Sequence, residues 1–225
     1  MSIFIVTGTN TDVGKTIATA ALAVKFQQAG YVVEVLKPVQ TGEVHGSGDA
    51  VTIERLSGVK AQDLVRYPDP LAPNLAARYA GLPQVGFRWI MSQIRDHHAR
   101  LGETGILLVE GAGGLLVRLA DTFSIADIAQ ELSAPLIVVS SLGLGSLNSA
   151  ELTIEAARHR GLSVRGIIGG SMPAEPDLAT RLNIAELEVL TGIKLLGCIP
   201  EGSGQLSRTE FVRMVENQLL LPEIE

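Results

Sequence analysis

Residues 8–16 read Gly-Thr-Asn-Thr-Asp-Val-Gly-Lys-Thr, and this glycine-rich stretch lies between an apolar run at 3–6 and a helix-forming segment at 17–29. A strand, a glycine loop and a helix in this order form the setting of a phosphate-binding loop, or P-loop. Backbone N–H groups of such a loop point into one concavity, and the helix N-terminus adds partial positive charge. Lys15 can then reach the terminal phosphates of a nucleotide, while Thr16 offers a hydroxyl to Mg²⁺. The stretch predicts a nucleotide site, although one residue more than in the standard motif separates Gly8 from Gly14.

Apolar runs alternate with helix-forming segments along the rest of the chain. This alternation is typical of an α/β fold with a mostly parallel sheet and helices on both faces. No low-complexity linker divides the chain, so we predict a single P-loop nucleotide-hydrolase-like domain over residues 1–225. The predicted strands lie at 3–6, 32–36, 106–109, 136–139, 164–168 and 195–199. The predicted helices lie at 17–29, 50–56, 74–80, 87–101, 125–132, 147–160, 178–190 and 210–220.

Composition argues against several kinds of partner. A net charge of -6 and an aromatic content of 4% are poor material for binding nucleic acid. No apolar run approaches the roughly 20 residues that span a bilayer, and the N-terminus lacks the features of a signal peptide. The single Cys198 can form no disulfide within the chain. We therefore expect a soluble cytoplasmic protein with no nucleic-acid partner and no membrane segment.

Lys37 and Glu110 are predicted to follow strands that end near the P-loop. Ligands of open α/β sheets bind beyond the carboxyl ends of the strands, so the residues that follow each apolar run should converge. Proline interrupts regular structure, so the strand at 32–36 is predicted to end at Lys37-Pro38 and residues 39–48 to form a loop. Glu110 is predicted at the tip of the strand at 106–109, before the glycine-rich run 111–114.

Thr16, Asp49 and Glu110 are candidate ligands of Mg²⁺. This ion prefers one or two carboxylates together with hydroxyl, phosphate and water oxygens. Glu110 has the position of the acidic residue that accompanies a P-loop in nucleotide hydrolases, and a solvent-exposed strand end is the alternative interpretation. Asp49 can instead be the N-cap of the helix at 50–56. The choice between these interpretations stays open from the residues alone.

Lys37 adds a second lysine to the predicted site. The P-loop already contains Lys15, so another ammonium group at the same sheet edge points to a larger negative charge to be neutralised. A developing phosphoryl transition state or an acyl phosphate would be such a charge. The alternative is an ordinary surface lysine at a strand end.

Two further segments draw attention for their composition. Prolines at 68, 70 and 73 exclude regular helix and central strand, so this segment is predicted to be a surface loop. His97 and His98 lie near the C-terminal end of the predicted helix at 87–101 and have no cysteine or carboxylate at ligand spacing. We interpret the pair as a solvated helix end rather than a metal site.

Four motifs together resemble the dethiobiotin synthetase family. They are residues 7–16, the sequence Lys-Pro-Val-Gln-Thr-Gly at 37–42, Val-Glu-Gly-Ala-Gly-Gly at 109–114, and Leu147-Asn148. The resemblance extends from about Ile3 to Pro200. It implies an ATP-dependent ligase of biotin biosynthesis that carboxylates 7,8-diaminononanoate with CO2 and closes a ureido ring, giving dethiobiotin, ADP and phosphate.

The resemblance also implies roles for individual residues. Lys37, Lys15 and Thr11 would serve catalysis, and Thr16, Asp49 and Glu110 would hold Mg²⁺. The loop at 68–73 would line the substrate site. Nucleotide contacts would come from Asp12, Val13, Gly14, Lys15, Thr16 and Ile17, and substrate contacts from Thr41, Gly111, Ala112, Gly113 and Asn148. The family is similar also in forming homodimers, in which a helix N-terminus of the neighbouring chain, here near Ser146, would take the substrate carboxylate.

The resemblance is incomplete at two places. Asp12 stands where family members often have glutamate. After the strand at 164–168 the chain has Gly169-Gly170-Ser171, where members with strict adenine recognition have an asparagine. We therefore expect backbone groups near Gly169, Gly170, Pro200 and Glu201 to contact the base. ATP is the predicted nucleotide, and other nucleoside triphosphates remain possible co-substrates.

Two alternative functions differ from this one in identifiable features. A cobyrinate-diamide-type amidating ligase usually carries a glutamine amidotransferase domain with a nucleophilic cysteine, and Cys198 lies beside Ile199-Pro200 near the C-terminus with no room for such a domain. A nucleotide-gated partition-type switch tends to have an additional lysine early in its loop, where this chain has Thr9 to Thr11. The last residues are acidic, which disfavours a membrane-binding tail.

Overall fold

The computed structural model describes residues 2–43 and 46–224. Strands and helices alternate through most of the chain, as the apolar pattern predicts. The strands are β1 (Ser2–Gly8), β2 (Val32–Thr41), β3 (Lys60–Tyr67), β4 (Gly105–Gly114), β5 (Arg118–Ala120), β6 (Phe123–Ser124), β7 (Leu136–Ser140), β8 (Val164–Met172) and β9 (Leu195–Pro200). The helices are α1 (Lys15–Gln28), α2 (Asp49–Ser57), α3 (Pro73–Tyr79), α4 (Phe87–Arg100), α5 (Ile125–Leu132), α6 (Ser146–His159), α7 (Leu178–Thr191) and α8 (Arg208–Gln218), with a short 3-10 helix at Ser203–Gln205.

Seven strands form one parallel sheet in the order β3-β2-β4-β1-β7-β8-β9. The remaining strands, β5 and β6, pair antiparallel with each other. β1 lies in the middle of the sheet, between β4 and β7, so the P-loop that follows it lies at the centre of the carboxyl edge. The predicted α/β class with a mostly parallel sheet is confirmed. That residues 1–225 form a single domain stays a prediction.

Side chains of the central strands pack on both faces of the sheet. In β1, Phe4 and Val6 contact the core under α1, α2 and α8, whereas Ile5 contacts the core under α3, α4 and α5. All three are buried. Strands covered on both faces read as continuous apolar runs, which is why the central strands are visible in the sequence.

α1 is enclosed on nearly all sides. It packs against the sheet, α2 and α8, and its buried residues include four alanines between positions 18 and 23 together with Leu22 and Phe26. A helix that is apolar around its circumference is typical of such a buried position. Burying a side chain the size of Phe26 contributes roughly 1.5–3 kcal/mol. The first turn of α1 is therefore held in place by a large core.

The prediction that the second strand ends at Lys37-Pro38 is wrong. β2 continues to Thr41, so Lys37 lies inside the strand and Val39 begins no loop. Pairing with β4 stops at Leu36, and from Lys37 onward β2 pairs with β3 alone. Proline is tolerated where a strand is paired on one side, which explains how Pro38 fits.

Two other strand predictions need correction. β3 is absent from the sequence-based assignment because its charged sequence, Lys-Ala-Gln-Asp-Leu-Val-Arg-Tyr, lacks an apolar run. It is a half-exposed edge strand, where charged residues are common. β4 continues through the glycine-rich run to Gly114, with an irregular register against β1 between Val6 and Gly8. Glu110 therefore lies inside β4 and not at its tip.

The interpretation of His97 as part of a solvated helix end is also wrong. His97 is buried, and its Nδ1 lies 3.3 Å from Oε2 of Glu34 on β2. The other carboxylate oxygen of Glu34 pairs with Lys60 at 2.6 Å. Burial opposes ionisation of Glu34, but its contacts with Lys60 and His97 outweigh that effect and lower its pKa. This polar cluster joins α4 to the sheet.

Across the described residues, no helix has the length and apolar character to cross a membrane.

Candidate functional site

The P-loop joins β1 to α1 and has the geometry of an anion cradle. Asp12 and Gly14 have positive φ angles of 57° and 90°, and α1 begins without a side-chain cap. The first N–H groups of the helix are thus left to bind an anion. Lys15 Nζ reaches back across the loop and donates to the carbonyl of Asn10 at 3.0 Å.

Gly170, near the end of β8, supports the P-loop from behind. A Cβ atom on Gly170 would overlap the carbonyl oxygen of Val13, and one on Gly14 would overlap the carbonyl of Gly170. The two backbones can approach this closely because neither glycine carries a side chain. Gly170 therefore fixes the position of the loop, a role different from the predicted contact with the nucleotide base.

A charged cluster lies beside the P-loop, where α1, β2, α2 and β4 meet. Lys37 Nζ forms ion pairs with Asp49 Oδ2 and with Glu110 Oε1, the second at 2.9 Å. It also donates to the carbonyl of Gly111 at 3.3 Å. Thr16 Oγ1 lies 2.7 Å from Asp49 Oδ1 and 3.4 Å from Glu110 Oε1. The structure thus brings together the second lysine and all three predicted metal ligands.

The pKa values of this cluster follow from burial and from its internal charges. Burial raises the pKa of Glu110, and Lys37 opposes that shift. Burial favours the neutral amine of Lys37, but the carboxylates of Glu110 and Asp49 outweigh it and raise the pKa of Lys37. Burial acts against ionisation of Asp49, and its contacts with Lys37 and Thr16 outweigh it and lower its pKa. The pKa of Lys15 is lowered by burial and by the nearby Lys37, so a bound anion would stabilise both lysines.

The oxygens of Thr16, Asp49 and Glu110 fit Mg²⁺. They are hard ligands, and the second carboxylate oxygen of Glu110, Oε2, is buried with no hydrogen-bond partner among the described residues. Residues 2–43 and 46–224 contain no group of three or more His, Cys, Asp or Glu side chains that could hold a metal ion by itself. Mg²⁺ usually keeps waters and phosphate oxygens in its shell, so two carboxylates and a hydroxyl suit it better than a complete protein cage.

A cavity of about 810 Å³ opens above this cluster. Most of the predicted site residues line it, and so do Pro70 and Pro73, the second of which begins α3. The predicted residues on its wall are Thr11, Asp12, Gly14, Lys15, Thr16, Ile17, Lys37, Thr41, Asp49, Ala112 and Gly113. The predicted residues outside its lining are Val13, Glu110, Gly111, Asn148, Gly169, Gly170, Pro200 and Glu201.

Gln40 also lines the cavity, and its sequence context predicts no role for it. It stands inside the motif at 37–42, but a rule that ends the strand at Pro38 places it in a loop. Val39, Glu43 and Val117 are further lining residues that were not predicted. Val39 and Gln40 reach the wall of the site because β2 continues past Pro38.

The residues expected to contact the base lie at the ends of β8 and β9. The backbone N–H of Glu201 donates to the carbonyl of Met172 at 2.8 Å, and the carbonyl of Pro200 accepts from Ser203 Oγ at 2.6 Å. These two backbone groups already have partners within the chain. Base contacts by Gly169, Gly170, Pro200 and Glu201 stay a prediction.

Asn148 lies in the first turn of α6, which begins after Gly145 without a side-chain cap. The loop before α6 is held by Asn183 of α7, whose Nδ2 contacts the carbonyls of Leu142 and Gly143 at 3.0 and 2.8 Å and Ser146 Oγ at 3.1 Å. Leu144, at the tip of this loop, is 95% exposed. Asn148 does not reach the cavity of its own chain.

Comparisons with known proteins identify the family. A family model described as an AAA domain matches residues 2–206. A protein of Corynebacterium diphtheriae named ATP-dependent dethiobiotin synthetase BioD is 58% identical over 217 residues, covering 96% of this chain and 96% of that protein. The chain belongs to the dethiobiotin synthetase family. A dethiobiotin synthetase of Corynebacterium efficiens is 54% identical over 222 residues and covers 99% and 100% of the two chains. The family predicted from the sequence is confirmed.

Solved structures place this dethiobiotin synthetase family member among P-loop folds. The MinC:MinD cell division complex of Aquifex aeolicus matches with a TM-score of 0.56 at 13% identity, covering 96% of this chain and 86% of that chain. The cell division protein FtsY of Thermotoga maritima matches with a TM-score of 0.54 at 15% identity, covering 95% and 68%. Identities this low establish the fold alone.

We expect Gly170→Ala to weaken nucleotide binding by displacing the P-loop, because the new methyl group would overlap the Val13 carbonyl. Overpacking of this kind costs about 1–3 kcal/mol. Isothermal titration calorimetry with Mg²⁺-ATP measures the effect. The control is Gly86→Ala, since Gly86 has an ordinary φ of -87° and no atom within 4 Å of its added Cβ. Equal affinity of the two variants would contradict the supporting role of Gly170.

Proposed function

We propose that this protein is an ATP-dependent dethiobiotin synthetase that joins CO2 to 7,8-diaminononanoate and closes the ureido ring, forming dethiobiotin, ADP and phosphate. The observation that carries the proposal is the pairing of two lysines at one cavity. Lys15 belongs to the P-loop, and Lys37 lies on the wall of the same cavity, beside Asp49 and Glu110. The family and the relatives at more than 50% identity support the same activity.

The chemistry requires two anions to approach each other. One amine of the substrate attacks CO2, forms an N–C bond and loses a proton, which gives a carbamate. A carbamate oxygen then attacks the γ-phosphorus of ATP, and the bond to the bridging oxygen breaks as ADP leaves. The second amine attacks the carbamoyl carbon, forms the second N–C bond and loses a proton, and phosphate leaves as the ring closes. Carbamate and triphosphate repel each other during the second step, and positive charge placed between them lowers that barrier.

Lys15 and Lys37 would supply that positive charge. Lys15 extends over the P-loop concavity where the β- and γ-phosphates would bind, and Lys37 faces the cavity from β2. Thr11 and Thr41 line the same space and would donate hydrogen bonds to the carbamate. Ala112 and Gly113 leave room for the substrate to approach the backbone of β4. Each of these residues is assigned by its place on the cavity wall and by the family pattern.

Mg²⁺ would be held by Thr16, Asp49 and Glu110, and when bound it would neutralise and orient phosphate oxygens. ATP is the co-substrate named for the relatives, and use of other nucleoside triphosphates remains part of the proposal. We also propose a cytoplasmic location, as the sequence predicts.

The substrate would lie at the interface of a homodimer. α6 and α7 pack side by side and expose several large apolar side chains, a pattern typical of protein contact surfaces. The uncapped start of α6 would accept the substrate carboxylate of the neighbouring chain, with Asn148 beside it. The exposed residues on this surface are Leu144, Leu152, Leu178, Leu182 and Val189.

The alternative functions are not favoured by any observation at this site. The likeness to a cell division protein of the MinD type is a likeness of fold. Residues 9–11 contain no lysine of the kind that partition-type switches carry, and Cys198 is partly buried next to Gly169, away from the cavity.

The assay that tests the function combines purified protein, Mg²⁺, bicarbonate and one nucleoside triphosphate, with and without 7,8-diaminononanoate. We expect phosphate release that requires the diamine and is accompanied by dethiobiotin, detected by mass spectrometry. Running ATP, GTP, CTP and UTP in parallel measures the base preference in the same experiment. Phosphate release that ignores the diamine but responds to a protein partner would support a switch instead.

We expect Lys37→Ala to keep nucleotide binding within about threefold while ring closure falls by roughly 10²–10³, the usual loss when one charge-stabilising group is removed. Lys37 faces the cavity beyond the P-loop, so it acts on the transfer step more than on binding. Calorimetry and product formation separate the two effects, and the melting temperature shows whether the variant, whose Asp49 and Glu110 lose their shared cation, still folds. Lys194→Ala, at an exposed lysine before β9, is the control. Normal turnover by Lys37→Ala would refute the two-lysine mechanism.

We expect two defective variants to complement each other if the site spans the dimer. Asn148→Asp places a carboxylate where the substrate carboxylate should bind, so it should lose activity at low diamine concentration, as should Lys37→Ala. In a heterodimer one site would combine intact Lys37 with intact Asn148, and equal co-expression should restore about a quarter of the wild-type activity. No recovery, with heterodimers shown to form, would mean that each site is built from one chain.

A further inference from the structure

We propose that Gln40 is a positioning residue that fixes Asp49 for metal binding. The inference rests on the proposed function in one respect, the assignment of Asp49 as a ligand of Mg²⁺. Gln40 lies in β2, three residues beyond Lys37, and its side chain is buried at 5% exposure. It is uncharged and makes no ion pair, so its contribution must come through hydrogen bonds.

Both polar atoms of the Gln40 side chain are engaged. Its Oε1 accepts the backbone N–H of Asp49 at 3.0 Å, and its Nε2 donates to the carbonyl of Thr41 at 3.1 Å. One amide group therefore connects the first residue of α2 to the end of β2. Asp49, on one side of this connection, is a proposed metal ligand, and Thr41, on the other side, is proposed to hold the carbamate.

The start of α2 depends on this contact because it lacks an ordinary cap. The N-cap residue is Gly48, which has no side chain to accept the first N–H groups of the helix. Its φ of 109° and ψ of -176° belong to a region that is open essentially to glycine alone. A Cβ at this position would also lie 3.1 Å from Gln40 Oε1. Gln40, from another element, thus supplies an acceptor for the first N–H group of the helix.

The position of Asp49 matters because its carboxylate has several close contacts. It accepts from Thr16 Oγ1 at 2.7 Å and pairs with Lys37. Ligand groups of a metal site must be held within about 0.5 Å of the productive geometry by their supporting contacts. Loss of such a supporting partner typically costs 10–100-fold in metal affinity or activity. Gln40 is the contact that anchors the backbone of Asp49 to the sheet.

The test measures Mn²⁺ binding in the presence of ADP by electron paramagnetic resonance, with no turnover involved. Gln40→Met keeps the length of the side chain and removes both hydrogen bonds, and it should weaken Mn²⁺ binding by about tenfold or more. Gln40→Glu keeps an acceptor for the Asp49 N–H and should retain more Mn²⁺ affinity than Gln40→Met. ADP affinity in EDTA should stay unchanged in both, because the P-loop is not altered.

A pair of glycine variants provides the matched control. Gly48→Ala should reproduce the loss of Mn²⁺ affinity, because its methyl group strains the backbone and presses on Gln40. Gly46→Ala also introduces a side chain at a positive φ, 86°, but no atom lies within 4 Å of the new Cβ. We expect Gly46→Ala to bind Mn²⁺ like the wild type. Melting temperatures of all variants identify any that fail to fold, in which case Gln40→Glu and Gly48→Ala carry the comparison.

The results separate this inference from the proposed function. Wild-type Mn²⁺ affinity in a folded Gln40→Met variant would overturn the role of Gln40, whatever the reaction is. Asp49→Asn serves as the reference, and if it binds Mn²⁺ normally the proposed metal set is wrong and the inference falls with it. If Gln40→Met and Asp49→Asn both lose Mn²⁺ affinity while the wild-type protein makes no dethiobiotin, the inference stands and the proposed reaction is overturned.

Discussion

The buried ammonium group of Lys37 is the interaction on which the site depends. Two carboxylates, Asp49 and Glu110, face each other in a place where Glu110 is fully buried. Without a cation between them, one would take up a proton, because an unpaired buried charge is costly. Lys37 offsets the repulsion between the two carboxylates, and its ion pairs connect β2 to β4 and to the first turn of α2. The same arrangement is suited to anionic substrates, since charges held by the fold need no rearrangement when a ligand binds.

The topology of the sheet explains how residues distant in sequence reach this place. β1 is central, so its P-loop has β2 and β4 on one side and β7 and β8 on the other. β2 and β4 bring the charged residues, and β8 brings Gly170 to the back of the loop. One side of the P-loop is thus devoted to charge and the other to close backbone packing. Sites at the carboxyl edge of parallel sheets generally divide their tasks among several strands in this way.

Much of this could be predicted from the sequence, and what could not has physical reasons. The P-loop and the central strands carry local signals: glycines at fixed spacing and apolar runs buried on both faces. β3 carries no such signal, because this edge strand contains charged residues, among them the exposed Lys60 and the half-buried Arg66. The rule that proline ends a strand is local, and it failed at Pro38 because only one neighbour pairs with β2 there. The burial of His97 depends on Glu34, which lies far away in sequence and meets it only in the folded chain.

The enclosure of α1 has a consequence for how the protein can respond to ligands. A helix surrounded by the sheet, α2 and α8, with small alanine side chains allowing close contact, cannot slide or tilt without opening voids in a packed interior. The P-loop is continuous with this helix and packs against Gly170, so its conformation is fixed when the chain folds and is already present before a ligand binds. Any closing motion over a nucleotide or substrate must then come from the rim of the cavity, such as the proline-rich segment at 68–72, while the P-loop keeps its position.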